Sequence, residues 1–234
     1  MPTLRNPIVV QPTEKHTATV IWLHGLGDSG LGWLFLAEAL AAQFPHVKWV
    51  FPNAPMKAIT ANDNVKMPAW FDILGFAKGD YEKSSVDEAG MLESVEMVNQ
   101  LILKESETDG IPTDRILLGG FSQGCVIALL TGWSSKIKLA GVIGCSGWLA
   151  LDKRLFKIVS DTNKSTPFLL CHGQQDPVVK HSYGQASAKF LNKVGYNATF
   201  KSYPDLGHAS EPREIADIAE FIKQCLPPQL KSQL

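Results

Sequence analysis

The sequence predicts an α/β protein, with a mostly parallel central sheet and helices on both of its faces. Three observations lead there. Short runs rich in β-branched and aromatic residues alternate with helical patterns along the 234 residues. The runs around Ile116, Val142 and Leu169 are apolar throughout rather than alternating, as strands covered on both faces are. Each conspicuous polar motif follows such a run directly, at the carboxyl end where ligands gather in sheets wound by right-handed crossovers.

In chain order, Ile8-Val9-Val10 suits an edge strand. Ala18 to Leu23 is a strand that runs straight into His24-Gly25-Leu26-Gly27-Asp28-Ser29-Gly30, and a helix fits residues 31 to 43. Val47 to Phe51 is the next strand, ended by Pro52 and Pro55. Residues 57 to 82 read as irregular and hold Trp70-Phe71-Asp72. Over 85 to 105, Val86, Ala89, Leu92, Val95, Val98 and Ile102 recur at three and four and so share a helical face. Ile116 to Phe121 is a strand and 123 to 133 a helix. Leu139 to Gly144 and Pro167 to Cys171 are strands, 182 to 194 a helix, and Ala198 to Tyr203 the last strand. The final helix begins near Ser210, a capping residue type, and buries Ile215, Ile218, Ala219 and Ile222.

Composition narrows the function classes. Hydrophobic residues are 45% and charged residues 19%, ordinary for a globular protein. A net charge of -1 and the lack of any Lys/Arg-rich run argue against a nucleic-acid partner. No Pro/Gly/Ser-rich linker divides the chain, so a single domain over 1–234 is expected, with 227–234 as a flexible tail. Met1 to Pro12 lacks the basic flank and apolar core of a secretory signal, and no run approaches the roughly 18 apolar residues of a membrane span. Cys125, Cys145, Cys171 and Cys225 form no C-x-x-C pair and read as reduced core residues, with no metal site. Ser232-Gln233-Leu234 lacks the basic middle residue of an S-K-L address.

The chemistry starts at Gly120-Phe121-Ser122-Gln123-Gly124, which has the form G-x-S-x-G between an apolar strand and a helix. A serine on such a turn stands above the sheet edge, and the glycines let neighbouring backbone come close. A serine hydroxyl is a weak nucleophile near neutral pH, so it needs a base, and the base needs an orienting acid. His208, after the last strand in Gly207-His208, is the best base, and Asp176, beyond the strand that ends at Cys171, is the best acid. The chain order Ser, Asp, His is that of an α/β-hydrolase. Asp205 is a rival acid, but its side chain must fold back within its own loop. His24 and His172 each end a strand before a glycine and read as structural imidazoles that hydrogen-bond loop backbone. Ser146 lacks the second glycine of the motif and reads as a decoy; Cys125 reads as a packed thiol.

Attack on a carbonyl creates an oxyanion that must meet preorganised donors. The backbone N–H groups of Gln123, at a helix start, and of Leu26, in the loop after an early strand, are the candidates. Gly25, Gly27 and Gly30 also match the spacing of a dinucleotide fingerprint, but the strand Lys48 to Asn53 ends without the acidic residue that a ribose needs.

Several segments together resemble the acyl-protein thioesterases of the phospholipase/carboxylesterase family, within the α/β-hydrolases. They are His24 to Gly30, Pro52-Asn53-Ala54-Pro55, Trp70-Phe71-Asp72, Gly119 to Gly124, His172-Gly173 with Asp176-Pro177, and Gly207-His208. The resemblance runs from about Pro7 to Pro228. It implies an α/β-hydrolase fold and a serine hydrolase that removes S-acyl groups from palmitoylated proteins; no long insertion separates the core elements, so no large lid is expected. Ser122, Asp176 and His208 take the triad roles, and the amides of Leu26 and Gln123 the oxyanion hole. It further implies lysophospholipids and small esters as other substrates, no cofactor, transient contact with a membrane surface, a weak homodimer, and a cytoplasmic or nuclear location. The chain departs from the pattern at Pro2, where some members carry a cysteine for their own acylation, and in Gln174-Gln175 and Ala209-Ser210.

An acyl ester needs an apolar trench beside Ser122. Leu31, Trp70, Leu74, Phe76, Leu149, Val178 and Val179, near the strand ends, are the residues expected to line it. Two readings outside the thioesterase remain: a broad carboxylesterase or lysophospholipase, and a hydrolase fold kept only for binding. An intact Ser/Asp/His set speaks against the latter.

Overall fold

The computed structural model describes residues 4, 7–75, 87–150 and 155–229, with the side chains of 156 and 157 left undescribed. Seven strands form one sheet in the order β1-β3-β2-β6-β7-β8-β9. They are β1 (Ile8–Val10), β2 (Ala18–Leu23), β3 (Val47–Phe51), β6 (Ile116–Phe121), β7 (Gly141–Cys145), β8 (Pro167–Gly173) and β9 (Asn197–Tyr203). Every pairing is parallel except that of β1 with β3. The intervening β4 (Met56–Ile59) and β5 (Val65–Pro68) make a separate antiparallel hairpin. That corrects the irregular reading of residues 57 to 82: the hairpin turns through Asp63 and Asn64, both at positive φ, a fate Asp and Asn tolerate better than most residues.

Neighbouring residues of one strand face opposite cores, which is why the central strands β6, β7 and most of β8 are apolar along their length, whereas the edge strand β9 is not. Ile21, Leu118, Val142 and Leu170 pack with helices α2 (Glu88–Asp109), α3 (Gln123–Ser134) and α4 (His181–Lys193). Val20, Leu117, Ile143 and Leu169 pack with α1 (Leu34–Leu40) and α5 (Pro212–Cys225). The sheet is therefore covered on both faces.

Helix boundaries moved for local reasons. The stretch 31 to 43 is a short α1 between two 3₁₀ turns, Leu31–Trp33 and Ala41–Gln43. Helix α2 is capped by the Asp87 side chain, which accepts from Gly90 N–H. Its buried stripe is Met91, Val95, Val98 and Ile102, leaving Ala89 and Leu92 exposed, contrary to the sequence reading; Val86 lies outside the described residues. Helix α5 is capped at Glu211 with Pro212 in its first turn, so Ser210 precedes the cap. It buries Ile218 and Ile222 as expected but also Phe221 and, unexpectedly, Glu214; Ile215 and Ala219 are only half-buried. Among the described residues no helix is long and apolar enough to cross a membrane.

Candidate active site

Ser122 sits where β6 meets α3, with φ 52° and ψ −116°. This is a costly region for a residue with a Cβ, and it persists because neighbours fix it. The Ser122 N–H donates to Cys145 O on the adjacent strand at 2.8 Å. The glycines of the motif are needed for approach: a Cβ on Gly124 would stand 2.2 Å from Leu23 O, and one on Gly120 2.5 Å from Gly124 O. The chain can thus turn sharply enough to lift the hydroxyl above the sheet.

His208 lies in the turn after β9, 86 residues from Ser122 in sequence. Its Nε2 is 3.0 Å from Ser122 Oγ, and its Nδ1 is 2.7 Å from Asp176 Oδ2. A carboxylate only accepts, so the Nδ1–H donates to it and Nε2 presents a lone pair to the serine O–H. The imidazole rests against Phe121, with ring centroids 4.8 Å apart. Asp176 lies in the turn after β8; its Oδ1 accepts from Val178 and Val179 N–H, both at 2.8 Å. Burial opposes its ionisation, but the His172, His208 and Val179 donors outweigh that and hold the carboxyl well below the usual carboxylate range. Asp205 is exposed and takes no part in this contact.

Behind the serine a polar clamp fixes the loop 24–28. His24 Nε2 accepts from Ala54 N–H at 3.0 Å, so its Nδ1–H donates to Gly25 O at 2.6 Å; burial pushes this imidazole down. Trp70 Nε1–H donates to His24 O, and the Gln123 side chain joins Trp70 N–H to Phe71 O at 2.8 and 2.7 Å. A Cβ on Gly25 would lie 3.4 Å from Ser122 Cβ, so this loop runs right beside the nucleophile candidate. Leu26 and Gln123 both line the resulting cavity. As the first residue of α3, Gln123 has an N–H with no carbonyl one helical turn before it.

The cavity holds about 320 Å³ and is lined by Ser122 and His208. Val178 and Val179 line it, as the sequence suggested. Four other expected residues do not. Trp70 and Leu149 are buried in the core, the first as part of the loop clamp, the second with its N–H on Ser187 Oγ. Leu31 and Leu74 are exposed and outside the lining, and Phe76 lies outside the described residues. In their place stand Trp33, Ile73, Phe121 and Trp148. Ile73 and Trp148 are sequence neighbours of Leu74 and Leu149. Outside regular structure no periodicity says which of two adjacent apolar residues turns inward.

A larger groove of about 650 Å³ runs between α1 and α5, lined by Leu40, Phe44, His46, Ile215, Ala219 and Leu226 among others, and contains no serine or cysteine. Among the described residues one group has metal-type donors, Cys145, Cys171 and Glu214, all buried, with ligand atoms within 4.8 Å of one another. Burial pushes the Cys145 thiol far up, and metal ligation needs the thiolate. All four cysteines are free thiols; Cys225 is half-buried and the others buried.

A serine hydroxyl, an imidazole and a carboxylate joined in this order at the carboxyl edge of a parallel sheet define a hydrolase of the α/β class. The chain belongs to the phospholipase/carboxylesterase family, whose model matches residues 4–226. It is 43% identical over 239 residues to acyl-protein thioesterase 1 of Cryptococcus neoformans var. neoformans serotype D, covering 97% of this chain and all of that protein. With acyl-protein thioesterase 1 of Emericella nidulans it shares 42% over 233 residues, 96% of this chain and 97% of the other. The crystal structure of Zea mays acyl-protein thioesterase 2 superposes with a TM-score of 0.83 at 32% identity, covering 94% of this chain and 99% of that one. Arabidopsis thaliana SOBER1 gives 0.83 at 31%, covering 90% and 99%.

Proposed function

We propose that the protein hydrolyses S-acyl thioesters on proteins, with Ser122 as nucleophile, His208 as general base and acid, and Asp176 as the group that orients the imidazole. One observation carries the reading: the hydroxyl–imidazole–carboxylate contacts of 3.0 and 2.7 Å open onto a cavity walled by Trp33, Phe121, Trp148 and Val178. The names of the relatives support the thioester as the bond cleaved.

His208 Nε2 takes the Ser122 proton as Oγ bonds to the acyl carbon. The amides of Leu26 and Gln123 receive the negative oxygen. The C–S bond then breaks, the thiolate takes the proton from Nε2, and the acyl group stays on Oγ as an ester. Water, deprotonated by the same nitrogen, attacks that ester and releases the acid and the Ser122 hydroxyl. The apolar walls hold the acyl chain. Val178, exposed and at the cavity, offers an apolar contact suited to transient touching of a membrane surface. An oxoester fits the same steps, which makes lysophospholipids a second substrate class. The expected location is the cytoplasm or the nucleus, as the resemblance to the family implies.

Fluorophosphonate labelling tests the scheme directly. The adduct is expected on Ser122 by mass spectrometry, and Ser122→Ala is expected to lose labelling and about 10⁴-fold or more of turnover while keeping its melting transition. Full turnover by that variant would overturn the mechanism. Parallel assays of a palmitoylated peptide, lysophosphatidylcholine and a short aryl ester test the substrate; a peptide cleaved far more slowly than the lipid would move the assignment to lysophospholipase.

A further inference from the structure

The turn that carries Asp176 is held from behind by a residue with no place in the steps above. His172, the penultimate residue of β8, is fully buried. Its Nε2 lies 2.9 Å from Val179 O and 3.3 Å from Asp176 Oδ2. A carbonyl only accepts, so Nε2 carries the proton and that N–H faces both oxygens. Oδ2 is the oxygen that also accepts from His208, and Val179 is the residue whose N–H donates to Oδ1. One imidazole thus grips both ends of the Asp176–Val179 turn. Its ring cannot swing away: Gly184 of α4 comes so close that a Cβ there would stand 2.4 Å from His172 Nδ1. That Nδ1 is buried and has no hydrogen-bond partner among the described residues, so the ring is retained for what Nε2 does.

We infer that His172 is a positioning residue for the relay, fixing the Asp176 carboxylate towards His208 and sharing the charge of Oδ2. The inference rests on the reading of Ser122, His208 and Asp176 as that relay. Sharing matters because Oδ2 stabilises the imidazolium that forms on His208. A second donor on the same oxygen draws charge from it, so that removing this donor leaves more of the charge facing His208. The titratable groups around His172 are Asp176 in the β8–α4 turn, His181 of α4 with its ring centroid 5.8 Å away, and Glu214 of α5. Only Asp176 comes within hydrogen-bond reach of the Nε2–H among them.

The experiment compares full-length His172→Phe, His172→Gln and His172→Asn by the pH dependence of the fluorophosphonate labelling rate, which reads the relay whatever the substrate. Gln places its amide nitrogen where Nε2 stood, whereas Asn places it near Nδ1, facing Gly184. Phe and Asn are expected to label about tenfold more slowly on the plateau, with the acid limb displaced to higher pH by about half a unit or more. Gln is expected to recover most of the rate and the wild-type limb. A residue that only supports the fold would change the melting temperature of all three and move no limb. Limbs of Phe and Asn that coincide with wild type, at rates within about twofold, would overturn the inference and leave the relay standing. A wild-type chain that does not label at all overturns the relay, and the inference with it. Should the Phe variant not fold, the Asn and Gln pair decides on the same criteria.

Discussion

Two turns at the carboxyl edge of this sheet share a positive φ and have opposite surroundings. Ser122 ends β6 with φ 52°, and Ser146 follows β7 with φ 51°. Each donates its N–H to the next strand, Ser122 to Cys145 O at 2.8 Å and Ser146 to Cys171 O at 2.9 Å. Ser122 then opens a helix, faces a cavity and meets an imidazole. Ser146 is completely buried, starts no helix, and has no partner for its Oγ among the described residues. The nearby carboxylates differ in the same way. Asp176 collects donors and is held ionised; Glu214, beside the Cys145 that precedes Ser146, has no well-formed hydrogen bond among the described residues, and burial pushes its carboxyl up to about 7. A left-handed turn after a parallel strand is therefore a product of the sheet. The chemistry comes from exposure, a helix start and a donated lone pair.

The largest effect is expected when the two hydroxyls are removed one at a time. Ser122→Ala should cost about 10⁴-fold or more in hydrolysis, and Ser146→Ala should stay within about twofold of wild type. A comparable loss from Ser146→Ala would break the comparison, since it would give the buried hydroxyl a part in the reaction. Next in size is Gly124→Ala. Its Cβ would meet the backbone of Leu23 at 2.2 Å and of His24 at 2.6 Å, neither of which can step aside. A loss of about 3 kcal/mol in denaturant unfolding is expected, at the upper end of overpacking effects, with activity falling as the 24–28 loop is displaced. A variant as stable as wild type would mean that the elbow tolerates more room than its geometry allows.

These surroundings also explain what the sequence disclosed and what it hid. The elbow, the base and the acid were legible because each demands a particular residue type just after a strand, and the strands announced themselves by unbroken apolar runs. The hairpin of residues 56–68 was hidden because short, half-exposed strands such as Lys57-Ala58 and Val65-Lys66 carry no alternation of their own. Trp148 and Ile73 were hidden for the reason that misplaced Leu149 and Leu74: in irregular backbone, adjacent apolar residues do not divide by period. Glu214 was invisible because a glutamate in the first turn of a helix ordinarily faces water and favours the helix dipole. Here α5 packs against β7 and β8, and Glu214 is fully buried.

That enclosure predicts a pH effect of intermediate size. The Glu214 carboxyl titrates near 7 in the folded chain and near 4.3 when unfolded. Its neutral form therefore contributes stability fully below about pH 4, and the contribution is lost as pH rises through about 7. Asp176 runs the other way: its folded value is depressed, so its contribution is present at neutral pH and lost below the ordinary carboxylate range of about 4. Glu214→Gln is expected to be more stable than wild type by about 2–3 kcal/mol at pH 8 and nearly equal to it at pH 4, read from urea midpoints. An advantage equal at both pH values would assign the effect to packing rather than to the buried charge.

The smallest expected effect falls on the quiet turn itself. Ser146 holds a left-handed φ that costs a residue with a Cβ about 1 kcal/mol, and it buries a hydroxyl without a partner. Glycine relieves both, against the extra freedom it gives the unfolded chain, which costs about 0.5–1 kcal/mol. Ser146→Gly is therefore expected to raise the melting temperature slightly, by about 2–4 °C for a chain of this size, with labelling of Ser122 unchanged. A fall in melting temperature would show that the Ser146 hydroxyl is held in place after all, and the contrast between the two turns would then rest on exposure, the helix start and the imidazole.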